Sequence, residues 1–406
     1  MMRNLFLVIL CAAIAASVVG QSLLGITFPY GVPVQTNSGM TLTMGGAGSA
    51  VAGEHSVMLK NPANLGTIDR TVFSALFSVD MLRISDAGEH SNFLSFTPSQ
   101  VSIGIPFGVA GTMGLSYDLR GDRSAFFRSK TVSGYADSIL LGFAARGGLV
   151  SWQAGWGYDI MHFVNIGLSY ERVYLDAEQT RLSTIYYQGV ETDSRDSTLF
   201  AGWNNGVRAG VLVPVGKVKL AAAGEYFFTG DLETFSGVYP SSSNVPAANT
   251  YTDQKASLRL PPSLTLGISW DISPEWLAAS DVNFGFWQAS EFPDVLSQPG
   301  VATTTGFSLG AQYIPAPNLL MPRYWETIRY RAGIRYTELP GKGSHEYTLS
   351  LGAGFPLGKG FGILDLGLEI GRRESGLFKD YSEDMVRIVI GFNGGHKWAS
   401  PVKGTY

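Results

Sequence analysis

Three groups of residues have types and spacings that suggest chemistry. The first is the stretch "MGGAGSAVAGEHSVMLKNPANLG", residues 44–66. It opens on Gly45-Gly46-Ala47-Gly48, a cluster able to turn the backbone around a phosphate. Asp69 follows where a dinucleotide-binding unit carries an acid. It closes on Asn61-Pro62-Ala63, a tripeptide also found as the box of water channels. The second group is Arg329, Arg331 and Arg335, which share one face of a strand-like run and could pair a ligand carboxylate. The third is the five histidines, His55, His90, His162, His345 and His396. None stands in a metal-ligand pair or beside a nucleophile motif. A hydrolase would need a Ser-His pair on adjacent strands facing one side. Catalysis has no support here, and no cofactor or metal is expected.

Each chemistry needs elements to position it. A dinucleotide loop needs a βαβ unit and a parallel sheet, yet nothing after residue 71 has helical periodicity. A water-channel box needs half-helices inside a bundle of spanning helices. No apolar run after the first residues reaches the ~18 positions that a spanning helix requires. Both readings fall.

The downstream signal has period two instead. In "EYTLSLGAGF", Tyr347, Leu349, Leu351, Ala353 and Phe355 oppose Thr348, Ser350, Gly352 and Gly354. In "FGILDLGLEIGRR", Leu364, Leu366, Leu368 and Ile370 oppose Asp365, Gly367, Glu369 and Gly371. Strict alternation marks strands with one apolar and one polar face. Fourteen such strands are expected, near 71–82, 93–105, 108–119, 149–160, 163–177, 199–214, 217–229, 256–271, 275–288, 304–314, 326–338, 345–356, 360–373 and 384–393. "YADSILLGFAA", 135–145, is left in a loop. Pro261-Pro262 predicts either a kinked strand or one that starts at Ser263.

A soluble sandwich also alternates, so other features must choose. The apolar faces are long enough for strands of ~9–11 residues crossing lipid. Tyr, Trp and Phe gather near strand ends, as an interfacial girdle would. Tight turns ("PFG", "IMH", "PVG", "ISPE", "PLGKG"), with "PAPNLLMPRYW" as the one longer exception, alternate with long polar loops (120–148, 178–198, 230–255, 289–303). That asymmetry is the mark of a bacterial outer-membrane barrel.

Composition agrees. Of 406 residues, 15% are charged and 45% apolar, and 50 are glycine. A soluble chain of this length usually carries about a quarter charged residues. The formal net charge of −4, with no basic run, argues against a nucleic-acid partner. Arg3 followed by the uncharged run Leu5 to Val19 reads as a secretory signal peptide, with Val18 and Gly20 suited to cleavage before Gln21. Cys11, the single cysteine, lies inside it, so the mature chain is expected to be cysteine-free.

At this point the sequence resembles the long-chain fatty-acid transporter (FadL-type) outer-membrane family, whose relatives also pass aromatic hydrocarbons. The matching residues are "MGGAGSAVAGEHSVMLKNPANL", "LPPSLTLGISW" with "DVNFGFW", "SLGAGFPLGKGFGILDLGLEIGRR" and "VRIVIGF". The resemblance implies an all-β fold: a transmembrane antiparallel β-barrel of about 14 strands with an N-terminal hatch inside the lumen. It implies passive uptake of a hydrophobic small molecule through the hatch or sideways into outer-membrane lipid. It also leaves an alternative, since one branch serves as a secretion-system component. The expected organisation is signal peptide 1–20, hatch 21–70, barrel 71–393 and tail 394–406, in a monomer of the outer membrane. Gly45, Gly46, Gly48, Asn61, Pro62 and Ala63 then belong to the hatch. Leu23, Leu24, Ile26, Phe28 and Tyr30 would line an apolar pocket. Arg329, Arg331 and Arg335 keep two readings, as partners of a ligand carboxylate or as members of an internal charge network that fixes the hatch.

Overall fold

The computed structural model describes residues 22, 24–36, 38–51, 56–86, 89–133, 136–188, 190–241, 250–293, 296, 300–358, 362–378 and 380–396. The expected signal peptide, Leu23, His55 and the end of the tail from 397 lie outside these residues.

The alternating runs form one antiparallel sheet that closes on itself. Among the described residues its strands are β1 (Thr71–Asp86), β2 (Glu89–Pro106), β3 (Thr112–Asp122 and Ala125–Ser133), β4 (Ala136–Ile160), β5 (Val164–Tyr187), β6 (Val190–Val215) and β7 (Val218–Phe227 and Gly230–Ser241). They continue with β8 (Thr250–Leu258 and Ser263–Asp271), β9 (Trp276–Gly285), β10 (Thr304–Tyr313), β11 (Arg329–Glu338), β12 (His345–Leu357), β13 (Gly362–Glu374) and β14 (Ser382–His396). β14 pairs with β1, from Ser382↔Ser85 to His396↔Thr71, so the sheet has no free edge. Closure satisfies every backbone group of a strand inside lipid. Among the described residues no helix is long and apolar enough to cross a membrane.

All fourteen expected strands are present. Within the stretch 135–145, expected as loop, residues 136–145 extend β4, so the count is unchanged. The reason is a local break in the pleat. Gly147 has φ 93°, and opposite it β3 is interrupted at Arg123–Ser124, where the Arg123 amide donates to the Gly147 carbonyl. Alternation shifts phase across such a bulge, which hides the extension from a period-two reading. The two prolines do the same to β8. Pairing resumes on both sides of 259–262, so Pro261-Pro262 sit in a gap within one strand.

Leu349, Leu351, Leu366, Leu368 and Ile370 are exposed, whereas Ser350, Asp365 and Glu369 are buried. This inverts the soluble pattern and suits a lipid belt around a polar lumen. Aromatic pairs meet at both ends of the belt. Phe107 lies 6.2 Å from Trp156 and Trp276 4.7 Å from Tyr313 near the tight turns. Tyr117 lies 5.1 Å from Trp152 and Tyr336 5.1 Å from Tyr347 toward the loops. β3 to β8 run on past the belt at the loop end, closing over an apolar cluster that includes Val173, Leu175, Phe200, Leu232 and Leu258.

Candidate functional site: a hatch in a charged lumen

The N-terminal segment fills the lumen. Two short helices, Leu24–Thr27 and Gly39–Leu42, and a 3-10 turn, Pro62–Thr67, carry it, with Val32–Pro33 bridging to Asp122 and Gly121 of β3.

The glycine cluster does cradle an anion, but the anion belongs to the wall. The Gly48 and Ser49 amides each donate to Asp281 Oδ2 at 3.0 Å, and the Ser49 hydroxyl donates to Oδ1 at 2.6 Å. Asp281 projects inward from β9 and is 1% exposed. Gly45 and Gly46 have φ of 70° and 88°, the left-handed backbone that lets amides converge in this way.

The Asn-Pro-Ala turn is a second anchor. Asn61 caps it, its Oδ1 accepting from the Ala63 amide at 3.1 Å. The Asn61 Nδ2 donates to Ser49 O at 3.0 Å and to Val211 O of β6 at 3.3 Å. Asn64 Nδ2 also donates to Ser49 O, at 3.2 Å. One carbonyl of the glycine loop therefore ties both halves of the hatch together.

The wall is moulded to this backbone. Gly157, Gly167 and Gly210 are register partners across β4, β5 and β6. A Cβ on Gly167 would overlap the Pro62–Ala63 peptide, and one on Gly210 would overlap Asn61 Oδ1. Gly104, Gly114 and Gly155 form a parallel row over β2, β3 and β4, against Val57, Leu65 and Leu59. On the far wall Gly310 and Gly333 are paired beneath Met44, and Gly352 and Gly367 beneath Thr43. A strand glycine weakens its strand by about 0.5–1 kcal/mol. Four in-register rows at the hatch contacts are explained by close backbone approach.

Charges complete the lumen. Arg120 donates to Glu171 at 2.7 Å and to Glu225 at 2.9 Å. Arg208 pairs with Glu225 and donates to the hatch carbonyl Leu59 O at 2.9 Å. Arg331 holds Asp365 at 2.5 Å and Gln312 at 2.8 Å. Arg335 reaches Glu369 at 3.3 Å and Glu346 at 3.2 Å. Arg373 links Glu346 to Glu383, and the Ser22 hydroxyl at the start of the hatch donates to Glu383 at 2.5 Å. Arg331 and Arg335, both singled out by sequence, thus have carboxylates of the wall as partners. Arg329 lies on the lining of a cavity below the hatch.

The described residues line three spaces in the lumen. A cavity of about 210 Å³ lies on the loop side of the hatch, between Tyr30, Leu149, Phe227 and Leu260 on one part and Lys60, Asp118, Arg120 and Gln153 on another. A second, of about 290 Å³, opens at the tight-turn end beside Met40, Lys219, Arg329 and Arg331. A third of about 60 Å³ lies by Asp80 and Arg387. The expected apolar residues diverge. Tyr30 lines the first cavity and stacks on Trp287 at 5.5 Å. Leu24 and Phe28 pack in a closed cluster with Val32, Leu82 and Leu339, and Ile26 rests on Ala125 and Phe143. Sequence reading also passed over Arg123, which is 2% exposed and donates to the carbonyls of Phe28 and Pro29 at 3.3 and 2.5 Å. The signal for it was faint, one arginine within an expected loop.

The family profile described as BamG matches residues 1–403. The chain belongs to the BamG family. No curated protein sequence matches it. Among solved structures, this BamG chain is similar to the CymD monoaromatic hydrocarbon channel (TM-score 0.60, 17% identity, covering 93% of this chain and 100% of that one). It is similar to the Ralstonia pickettii toluene transporter TbuX (TM-score 0.57, 16%, 92% and 100%). It is also similar to a Pseudomonas aeruginosa FadL homologue (TM-score 0.63, 13%, 91% and 100%). At these identities the likeness is one of fold. The FadL-type barrel expected from the sequence is the fold of this BamG protein.

Proposed function

We propose that the barrel passes hydrophobic molecules, such as long-chain fatty acids or aromatic hydrocarbons, passively across the outer membrane. The observation that supports this most is the divided lining of the 210 Å³ cavity. Tyr30, Leu149, Phe227 and Leu260 offer an apolar surface, and Lys60 stands on the hatch side. An amphiphile with an apolar body and a carboxylate head matches that division. The solved neighbours named as hydrocarbon and toluene channels support the reading by fold. In this reading the hatch around Gly45, Gly46, Gly48, Asn61, Pro62 and Ala63 must shift, and Arg329 and Arg331 line the exit. The protein acts alone, with outer-membrane lipid as its surroundings and no cofactor. The test is uptake of labelled oleate and labelled toluene by cells with and without the gene. Loss of uptake on deletion is expected; unchanged uptake of both sinks the reading.

A second reading is favoured by how firmly the hatch is seated. Ten wall glycines fitted to it and the Asp281 anchor support a plug built to stay. The BamG profile also covers the chain as a family of its own, while identity to the three solved neighbours is 13–17%. On this reading the barrel is a secretion-system or structural interaction component that docks a partner on its loop end. Unchanged uptake together with a secretion defect in the deletion strain is the result expected from it.

A further inference from the structure

A groove of about 970 Å³ opens on the outside of the barrel, away from the lumen. It crosses the outer faces of β1 to β5, with Phe77, Val101, Leu115, Trp152 and Tyr170 among its walls. Two local features make the hollow. Ala154, an outward position on β4, leaves a gap between the exposed rings of Trp152 and Trp156. The pairing of β1 with β2 also slips one residue between Leu76 and Phe77, which bends the wall there. Four strand spacings make the groove about 19 Å wide. A hollow of this breadth and volume has room for an acyl chain lying along the wall.

The groove has one charged corner. Arg172 lies on its lining, on the outward face of β5 and opposite Trp152 in register. Its guanidinium sits 4.5 Å from the Trp203 ring and 5.4 Å from the Tyr174 ring. Its Nε is buried and makes no hydrogen bond among the described residues. The height is that of the loop-end aromatic belt, where lipid headgroups begin. A cation fixed by two rings at headgroup level, above an acyl-sized hollow, complements both halves of an anionic lipid.

We propose that this wall is a binding site for an anionic membrane lipid, with Arg172 on the headgroup phosphate and an acyl chain in the groove over Ala154. The site does not depend on the uptake reading, since it faces the membrane and not the lumen. Trp152 reports on it directly. The full-length barrel is reconstituted in phosphatidylcholine vesicles, and the Trp152 signal is isolated as the difference between the wild type and Trp152→Phe. Brominated phosphatidylglycerol should quench that signal about fivefold more effectively than brominated phosphatidylcholine, the factor expected of one basic residue near a membrane surface. Arg172→Gln should abolish the preference. Ala154→Leu keeps the charge and fills the hollow, and should weaken quenching by both lipids. Excess inorganic phosphate should leave quenching unchanged. Equal quenching by the two lipids in the wild type overturns the proposal, as does a preference that survives Arg172→Gln. Displacement by inorganic phosphate overturns it too, in favour of a simple phosphate site.

Discussion

Ser49 and Asp281 are bonded across the lumen: the Ser49 hydroxyl and amide both donate to one carboxylate of β9, at 2.6 and 3.0 Å. With the Gly48 amide the carboxylate receives three donors from the hatch. Hydrogen bonds to a charged group contribute about 1.5–3 kcal/mol each. Asp281→Ala should therefore free the glycine loop, and Asp281→Asn should do so partially because one acceptor remains. The measurement is single-channel conductance in planar bilayers. Conductance should fall in the order Ala, Asn, wild type, and equal conductance would place the lock elsewhere.

The glycine rows predict a steric version of the same opening. Gly167→Val and Gly333→Val put branched carbons where the Pro62–Ala63 and Met44–Gly45 backbones lie. The hatch should leave the wall while the barrel persists. Limited proteolysis of the hatch, with heat-shifted gel mobility as the check on barrel folding, reads both. Gly224→Ala is the control, because a Cβ there has its nearest neighbour at 4.0 Å.

Asn61 holds a cap, a bond within the hatch and a bond to the wall at once. Asn61→Ala loses the cap, at about 1 kcal/mol, together with both donor bonds. Replacing Pro62 or deleting 45–48 attacks the same seat from either side. Each change should raise entry of small hydrophilic solutes into liposomes in a swelling assay. An unchanged swelling rate would mean that the segment is an anchor and not the seal.

Arg331 and Asp365 are both buried and 2.5 Å apart. Removing one partner of a buried pair leaves an uncompensated charge, at about 3–5 kcal/mol. Arg331→Ala should destabilise the barrel by that order in urea titrations, and Arg331→Ala with Asp365→Ala should recover much of it. If the single variant instead keeps full stability and loses ligand uptake, Arg331 serves the ligand and not the wall.

The strands were legible because a lipid-facing wall imposes one rule on every position. Leu364, Leu366, Leu368 and Ile370 could only form the outer face of a strand whose other face carries Asp365 and Glu369. The rule failed where the pleat broke. Gly147 and the Arg123–Ser124 interruption shifted the phase, so 135–145 looked like loop although 136–145 lengthen β4. Of the site, the glycine loop and Asn61-Pro62-Ala63 stood out as unusual backbone. Their partners did not, because Asp281 is one of many inward acids along the chain, and nothing local distinguishes it.

The sequence alone determined that the chain is a fourteen-strand barrel with a glycine-rich segment ahead of it, since period, turn length and composition are local properties. It also contained every wall glycine at an inward position, without showing which ones met the hatch. Only the tertiary structure decided that Gly157, Gly167 and Gly210 lie in one row, that the row receives Asn61-Pro62-Ala63, and that the anion in the glycine loop is the protein's own Asp281. The physical reason is separation: Ser49 and Asp281 are 232 residues apart, and such a pair is fixed by strand register and closure, which no local pattern encodes.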